Sequence, residues 1–355
     1  MSDHVTTDNY ESASNREDKV AEFEVGNRGL IGTVQHWLHQ TPAAVPLIVL
    51  IASILIFGVL IGDRFFSPFA LTLVLQQVQI VGIVAAAQSL VILTAGIDLS
   101  VGAITVFSSV IMGQFAFRYG LPPSVAVVCG LIFGTLCGAL NGFLVARVKL
   151  PPFIVTLGTW QIILASNYLY SANETIRAQE IEAEAPLLQL MGTKFQIGGA
   201  VFTLGVIFMI VLMLVLAWVL RHTAWGRHVY AVGDDPEAAQ LSGVNVKATL
   251  LSVYALAGLI CAFAGWALIG RIGSVSPTSA YEANIESITA VVIGGISLFG
   301  GRGSVLGTLF GALIVGVFTL SLRLLGADAQ WTYLLIGILI IGAVAIDQWI
   351  RKVSV

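Results

Sequence analysis

The feature that most constrains this sequence is a series of apolar stretches, each about as long as a bilayer is thick. There are ten of them, at residues 44–62, 70–94, 100–118, 122–146, 153–171, 201–220, 249–270, 285–299, 303–325 and 331–350. About 20 apolar residues in a helix cross a hydrocarbon core of roughly 30 Å. The chain is 57% hydrophobic and 10% charged, whereas a soluble domain carries about 25% charged residues. The sequence therefore predicts an all-α polytopic membrane protein with ten transmembrane helices.

The distribution of Lys and Arg predicts the orientation of these helices. If the N-terminus is cytoplasmic, most of the 17 Lys and Arg residues fall in cytoplasmic segments, as membrane proteins generally show. Residues 1–41 then form a cytoplasmic N-terminal segment, in which 30–41 is either an interfacial helix or a membrane-proximal linker. Residues 42–352 form the transmembrane domain, with a periplasmic loop at 172–200 and a cytoplasmic loop at 221–248. Both termini are predicted to be cytoplasmic.

A short string occurs twice, which indicates an internal repeat. Residues 134–140 read GTLCGAL and residues 307–313 read GTLFGAL. They lie in the fourth and ninth stretches, and two copies of a five-helix unit enter the membrane in opposite directions, as in many transporters. Chance similarity of small-residue motifs is the alternative. Glycines at every fourth position predict close helix packing in both places; they are Gly130, Gly134, Gly138 and Gly142, then Gly303, Gly307 and Gly311.

The polar stretch GDDPEAAQLSGVNV at 233–246 predicts a short capped helix over 235–242. Asp235 suits the N-cap, Pro236 the first helical position and Gly243 the position after the end. The small side chains Ala238, Ala239 and Ser242 predict a flat surface that docks on a partner protein. Contact with lipid is the alternative, but Leu241 is the one large apolar side chain. The docking element comprises Asp234, Asp235, Pro236, Glu237, Ala238, Ala239, Gln240, Leu241, Ser242 and Gly243.

Polar side chains within or between the apolar stretches are candidates for a solute pathway. Asp98, in LTAGIDLS, has two interpretations. It is either a broken-helix position that faces this pathway, or part of the cap of the third helix at the cytoplasmic surface, where Asp98 or Ser100 is the capping residue. The candidate pathway residues are Gln88, Thr94, Asp98, Asn141 and Gln161. Hydrogen bonding between helices is the alternative for each of them.

Several classes of function are disfavoured by missing motifs. The chain contains no phosphate-binding loop of the form G-x-x-x-x-G-K-[ST], no H-E-x-x-H and no G-x-S-x-G, so no catalytic residues are expected. Its three cysteines lie in apolar stretches without metal-ligand spacing, and no metal or cofactor is expected. The net charge of −3 gives no basic excess, so no nucleic-acid partner is expected.

Four long segments resemble a known family. They are YAVGDDPEAAQLSGVNV (230–246), LTAGIDLSVGAI (93–104), NGFLVARVKLPPFIVTLGT (141–159) and TAVVIGGISLFGGRGSVLGTLFGALIVG (289–316). They are similar to permeases of sugar-importing ABC transporters of the ribose, xylose and galactose type, and fructose permeases are the most similar group. The N-terminal 40 residues carry no such similarity.

The resemblance implies a type II ABC importer with an inverted repeat, located in the bacterial inner membrane. Its implied partners are a second permease copy as a homodimer, ATPase subunits and a periplasmic sugar-binding protein, besides the lipid bilayer. It makes the helix at 235–242 the coupling helix to the ATPase, and the cargo a monosaccharide. The alternative is an ion-coupled secondary transporter of a small polar solute. That class usually needs intramembrane carboxylates, which are nearly absent here.

Overall fold

The computed structural model describes residues 43–280 and 282–352, so the expected features of 1–41 lie outside the described residues. The helices are α1 (Ala44–Ile61), α2 (Pro68–Leu93), α3 (Val101–Phe117), α4 (Pro123–Ala146), α5 (Pro152–Ser171), α6 (Ala178–Glu184), α7 (Leu204–His222), α8 (Ala224–Asp234), α9 (Pro236–Leu241), α10 (Val246–Ile272), α11 (Ala283–Ile293), α12 (Val305–Leu324) and α13 (Ala329–Lys352). Short 3₁₀ helices occupy Gly62–Arg64 and Pro186–Gly192, and an antiparallel hairpin pairs β1 (Lys194–Ile197) with β2 (Ala200–Thr203).

Each of the ten predicted stretches contains a helix, namely α1 to α5, α7 and α10 to α13. Six helices in the described part of the chain are long and apolar enough to cross a membrane, and α3, α11 and most of α13 are shorter apolar helices. The prediction of an all-α polytopic membrane protein is therefore confirmed. The amphipathic helix α8 was not predicted, because its residues were assigned to a loop.

Three predicted boundaries are wrong. The sixth stretch begins in β2, and α7 starts only at Leu204, after the Thr203 hydroxyl accepts a hydrogen bond from the N–H of Val206. The eighth stretch is helical only to Ile293. Gly303 lies in the loop before α12 with a φ of 131°, so it is not part of the glycine stripe of the ninth stretch.

Helices α2 and α10 form the centre of the bundle, and each contacts the other half of the chain. Helix α10 packs on α3 and α4, and in the same way α2 packs on α11 and α12. Within the first half α3 contacts α4 and α5, and within the second half α11 contacts α12 and α13. This reciprocal pattern is what two copies of a five-helix unit would produce. The repeated string itself does not occupy equivalent positions, since Gly134 is the twelfth residue of α4 and Gly307 the third of α12. The helix arrangement, not the string, supports the repeat.

Glycines bring α4 and α10 into close contact. A Cβ atom added to Gly134 would lie 2.7 Å from the carbonyl oxygen of Gly258, and one added to Gly138 would lie 2.9 Å from the Gly258 Cα. Gly130 and Gly142 continue this face against Met112 and Tyr254. Backbones this close gain dispersion contacts that no larger residue would permit. Gly307 and Gly311 pack in the same way against the backbone of α11.

The segment 273–280, between α10 and α11, enters the bundle without helical structure. Its Val275 lies against Gly113, near the end of α3, and Asn284 lies against Gly102, near the start of α3. These two glycines are eleven residues apart on one helix, which corresponds to about 16 Å. Non-helical backbone at membrane depth persists only where it is enclosed by protein or lines a wet cavity. Val275 and Pro277 are buried in this stretch, and we call residues 273–280 the enclosed segment. Helix α11, with 11 residues, is too short to cross a bilayer alone.

Candidate functional site

The short helix α9 has the cap at each end that its sequence predicts. Asp235 accepts hydrogen bonds at one carboxylate oxygen from the N–H groups of Glu237 and Ala238, at 2.9 and 3.0 Å. Gly243 has a φ of 87°, and the N–H groups of Gly243 and Val244 donate to the carbonyls of Gln240 and Ala239, both at 3.0 Å. This pair of bonds is a Schellman motif. Local interactions thus hold a six-residue helix that would be marginal by itself.

The exposed surface of α9 differs from the predicted one in two respects. Ala239 is buried, so it does not belong to an accessible docking surface as predicted, whereas Leu241 is 90% exposed. Asp234 is the last residue of α8 and not part of α9. The other residues of the docking element, from Asp235 to Gly243, are exposed. Leu241 is the one large apolar side chain of α9, so a partner that covered the exposed surface of this helix would contact it.

Helix α8 anchors α9 to the bundle. The Thr223 hydroxyl accepts from the N–H of Gly226 at 3.1 Å and starts the helix. The Trp225 indole N–H donates to the Ser252 hydroxyl at 2.8 Å, and the Tyr230 hydroxyl donates to the carbonyl of Gly303 at 2.9 Å. Burial raises the pKa of Tyr230, which keeps this donor protonated. The signal that predicts α8 is the Thr223 cap followed by an apolar face with helical spacing.

The end of α8 meets two other parts of the chain at a contact we call the glycine junction, formed by Leu93, Ala95, Gly233, Gly300 and Gly301. The Gly301 N–H donates to the Leu93 carbonyl at 3.0 Å. A Cβ added to Gly233 would collide with that carbonyl oxygen and lie 2.7 Å from the Gly301 nitrogen. A Cβ added to Gly300 would lie 2.6 Å from the Gly233 carbonyl oxygen. The junction joins the end of α8 to the end of α2 and to the α11–α12 loop.

A buried polar cluster surrounds the loop between α2 and α3. Asp98 is 1% exposed, and its Oδ1 accepts from the N–H and the hydroxyl of Ser100 at 2.7 and 2.6 Å. The Asn141 amide donates to the Ser100 hydroxyl at 2.8 Å. Gln88 pairs with the backbone of Asp98 when its side-chain amide is oriented so that both groups have partners. The amide N–H donates to the Asp98 carbonyl at 3.0 Å, and the amide oxygen accepts from the Asp98 N–H at 3.3 Å. The cluster fixes the start of α3 against α2 and α4.

The predicted surface cap at Asp98 or Ser100 is therefore wrong in location. Ser100 is the residue before α3, but its side chain makes no capping bond, and Asp98 binds the Ser100 N–H inside the protein. The sequence offers no signal for this burial, since Asn141 is distant along the chain.

We expect Asp98→Leu to destabilise the protein and Asp98→Asn to be much better tolerated. Leucine leaves the N–H and hydroxyl of Ser100 without their acceptor, which costs about 1–3 kcal/mol per buried group. Asparagine keeps an oxygen at the position of Oδ1. Thermal unfolding of the two purified variants measures the difference, and equal midpoints for both would contradict this role.

The remaining pathway candidates lie in different surroundings. The Thr94 hydroxyl donates to the carbonyl of Val91 at 2.8 Å, and Gln88, Asp98 and Asn141 bond within the cluster. In this conformation Gln88, Asp98 and Asn141 make hydrogen bonds between elements, whereas Thr94 bonds within the end of its own helix. The role of all four in transport stays a prediction. Gln161 is different because it is exposed on the outer face of α5.

Comparison with known proteins places the chain in a transporter family. Residues 70–344 match the family described as "Branched-chain amino acid transport system / permease component". The chain belongs to this permease family. It is 71% identical over 335 residues to the fructose import permease protein FrcC of Rhizobium meliloti, covering 94% of this chain and 93% of that protein. No solved structure matches it.

More distant relatives are also sugar permeases. The chain is 37% identical over 308 residues to the ribose import permease protein RbsC of Bacillus subtilis, covering 85% of this chain and 90% of that protein. It is 32% identical over 324 residues to the galactose/methyl galactoside import permease protein MglC of Escherichia coli, covering 88% and 95%. The permease is thus a multi-pass transport component and not an enzyme, and the expected resemblance is confirmed.

Proposed function

We propose that this permease is the membrane-spanning subunit of an ATP-driven importer that carries fructose across the bacterial inner membrane. The observation that carries the proposal is the 71% identity to a fructose import permease along 94% of the chain. Permeases named for ribose and galactose are about half as identical. Both termini are cytoplasmic in this proposal, as the Lys and Arg distribution indicates.

The ATPase subunits bind the cytoplasmic surface formed by α8 and α9. The chain itself has no phosphate-binding loop, so hydrolysis needs a separate subunit. Helix α9 is supported by its own caps and carries exposed Leu241 at its end. Such an apolar side chain suits a groove on a partner. Motion of the ATPase subunits then reaches α2 and the α11–α12 loop through the glycine junction.

Two further partners complete the importer. A second copy of the chain contacts the outer face of α5, where Gln161 is exposed. Without this contact the Gln161 amide would face lipid, which costs free energy because the amide would lack hydrogen-bond partners. A periplasmic sugar-binding protein docks on the loop 172–200, whose glutamates, Glu174, Glu180, Glu182 and Glu184, are all exposed. The molecular mass of the purified importer tests the homodimer, and a complex with one copy of this chain would exclude it.

The proposal is tested by sugar uptake in cells that lack the gene. We expect deletion to abolish uptake of labelled fructose but not of ribose or xylose, and reintroduction of the gene to restore it. Loss of ribose or xylose uptake instead would support the assignment as a sugar permease but change the sugar that it is proposed to carry. Unchanged uptake of all three sugars would overturn the proposal of sugar import.

A further inference from the structure

A pocket lies where the end of the enclosed segment, at Ala280, meets α3, α5 and α11. Its walls are the first two turns of α3, the middle of α5 and the start of α11. It contains about 280 Å³ of empty space including its open mouth, and its enclosed part is about the size of one water molecule. The pocket therefore admits a single hydroxyl group, while a larger body attached to that group stays in the mouth.

The wall of the pocket contains a buried acceptor without a partner. Asn167 is 1% exposed, and its Nδ2 donates to the carbonyl of Pro277 in the enclosed segment at 2.9 Å. This bond fixes the orientation of the amide. Its Oδ1 has no hydrogen-bond partner in the described part of the chain. Buried polar atoms in folded proteins are nearly always paired, so the orphan oxygen indicates a donor that enters from the pocket.

The rest of the wall combines apolar and polar groups. Trp160 is half-buried and lines the pocket on the same face of α5 as Leu164, one turn later, and Asn167, two turns later. Across the pocket, the Asn284 Oδ1 accepts from the N–H of Gly102 at 2.5 Å, which joins the starts of α3 and α11. An aromatic wall with a few fixed polar groups is typical of small-molecule sites. Sites between interrupted helices near the bilayer midplane are typical of transporters.

We propose that this pocket is a monosaccharide subsite on the transport route. One sugar hydroxyl donates to the Asn167 Oδ1, and an apolar C–H face of the ring lies against Trp160. The subsite rests on the proposed function, because the identity of the cargo comes from there. It is a contact within the permease, separate from the sugar site of a binding protein.

The first test fills the pocket without removing a hydrogen bond. Ala103 lines it, whereas Ala116, near the other end of α3, does not. We expect Ala103→Val to lower the maximal rate of fructose uptake about fivefold or more, with little change in KM, and Ala116→Val to transport normally. Wild-type rates for Ala103→Val would overturn the subsite.

The second test detects the sugar at the site and separates occupancy from a folding defect. Leu164→Cys is placed in a chain whose Cys129, Cys137 and Cys261 are changed to alanine, and its reaction with a methanethiosulfonate reagent is timed in the assembled importer. We expect fructose delivered by the binding protein to slow the reaction of Leu164→Cys. The control, Ala116→Cys, should react at the same rate with and without fructose. Equal rates with and without sugar at Leu164→Cys would overturn the proposal.

Failure of the proposed function would look different from failure of the subsite. If the wild-type chain took up no fructose, the function would be wrong, and the labelling would be done with the sugar that the chain does carry. If the wild-type chain took up fructose but neither test responded, only the subsite would be wrong.

Discussion

Gly233→Ala is expected to reduce fructose uptake by at least about tenfold, because the glycine junction has no room for a side chain. The added methyl group would collide with the carbonyl oxygen of Leu93, which already accepts a hydrogen bond from Gly301 at 3.0 Å. Backbone atoms cannot rotate away as a side chain can. The end of α8 must therefore separate from α2 or from the α11–α12 loop, and α9 loses its rigid connection to the spanning helices.

Three measurements distinguish this loss of coupling from loss of the protein. The amount of permease in the membrane should stay sufficient for assay, and the assembled importer should still hydrolyse ATP without sugar. Stimulation of hydrolysis by the loaded binding protein should be lost. The matched control is Gly337→Ala in α13, where an added Cβ meets nothing within 4 Å. Normal uptake by Gly233→Ala at equal membrane levels would show that the junction does not transmit motion.

Leu241→Glu is expected to abolish uptake by preventing attachment of the ATPase. The side chain is 90% exposed in the permease alone, so a glutamate there costs the fold little. Full burial of a leucine side chain against a partner contributes about 2 kcal/mol, and losing it corresponds to roughly a 30-fold loss of affinity. Burying a charge in the same groove adds to this loss.

Co-purification of the ATPase with tagged permease measures the effect of Leu241→Glu directly. Leu241→Met is the matched control, because it keeps the volume and apolar character of the side chain and should retain both the ATPase and uptake. If Leu241→Glu kept the ATPase bound but lost uptake, α9 would act after docking. If it kept both, α9 would not be the docking element.

The class of protein and the position of most helices follow from the sequence because both depend on neighbouring residues. Hydrophobic length identifies the six helices in the described residues that are long enough to cross a membrane. The caps of α9 are equally local, since Asp235 bonds two and three residues away and Gly243 supplies the positive φ. The breaks at Leu204 and Ile293 are less visible, since the residues beyond each break are also apolar and hydropathy does not distinguish strand or loop from helix.

The local sequence determined that this chain is a bundle of membrane helices with a capped helix in the connection between α7 and α10. Only the tertiary structure decided which faces are covered. Ala239 is buried and Leu241 exposed because α8 is fixed by Trp225 and Tyr230 to distant residues. The Asp98 cluster and the pocket at Asn167 likewise join residues 41 to 110 positions apart. Contacts at such separations depend on how the helices pack, and no pattern of neighbouring residues contains that information.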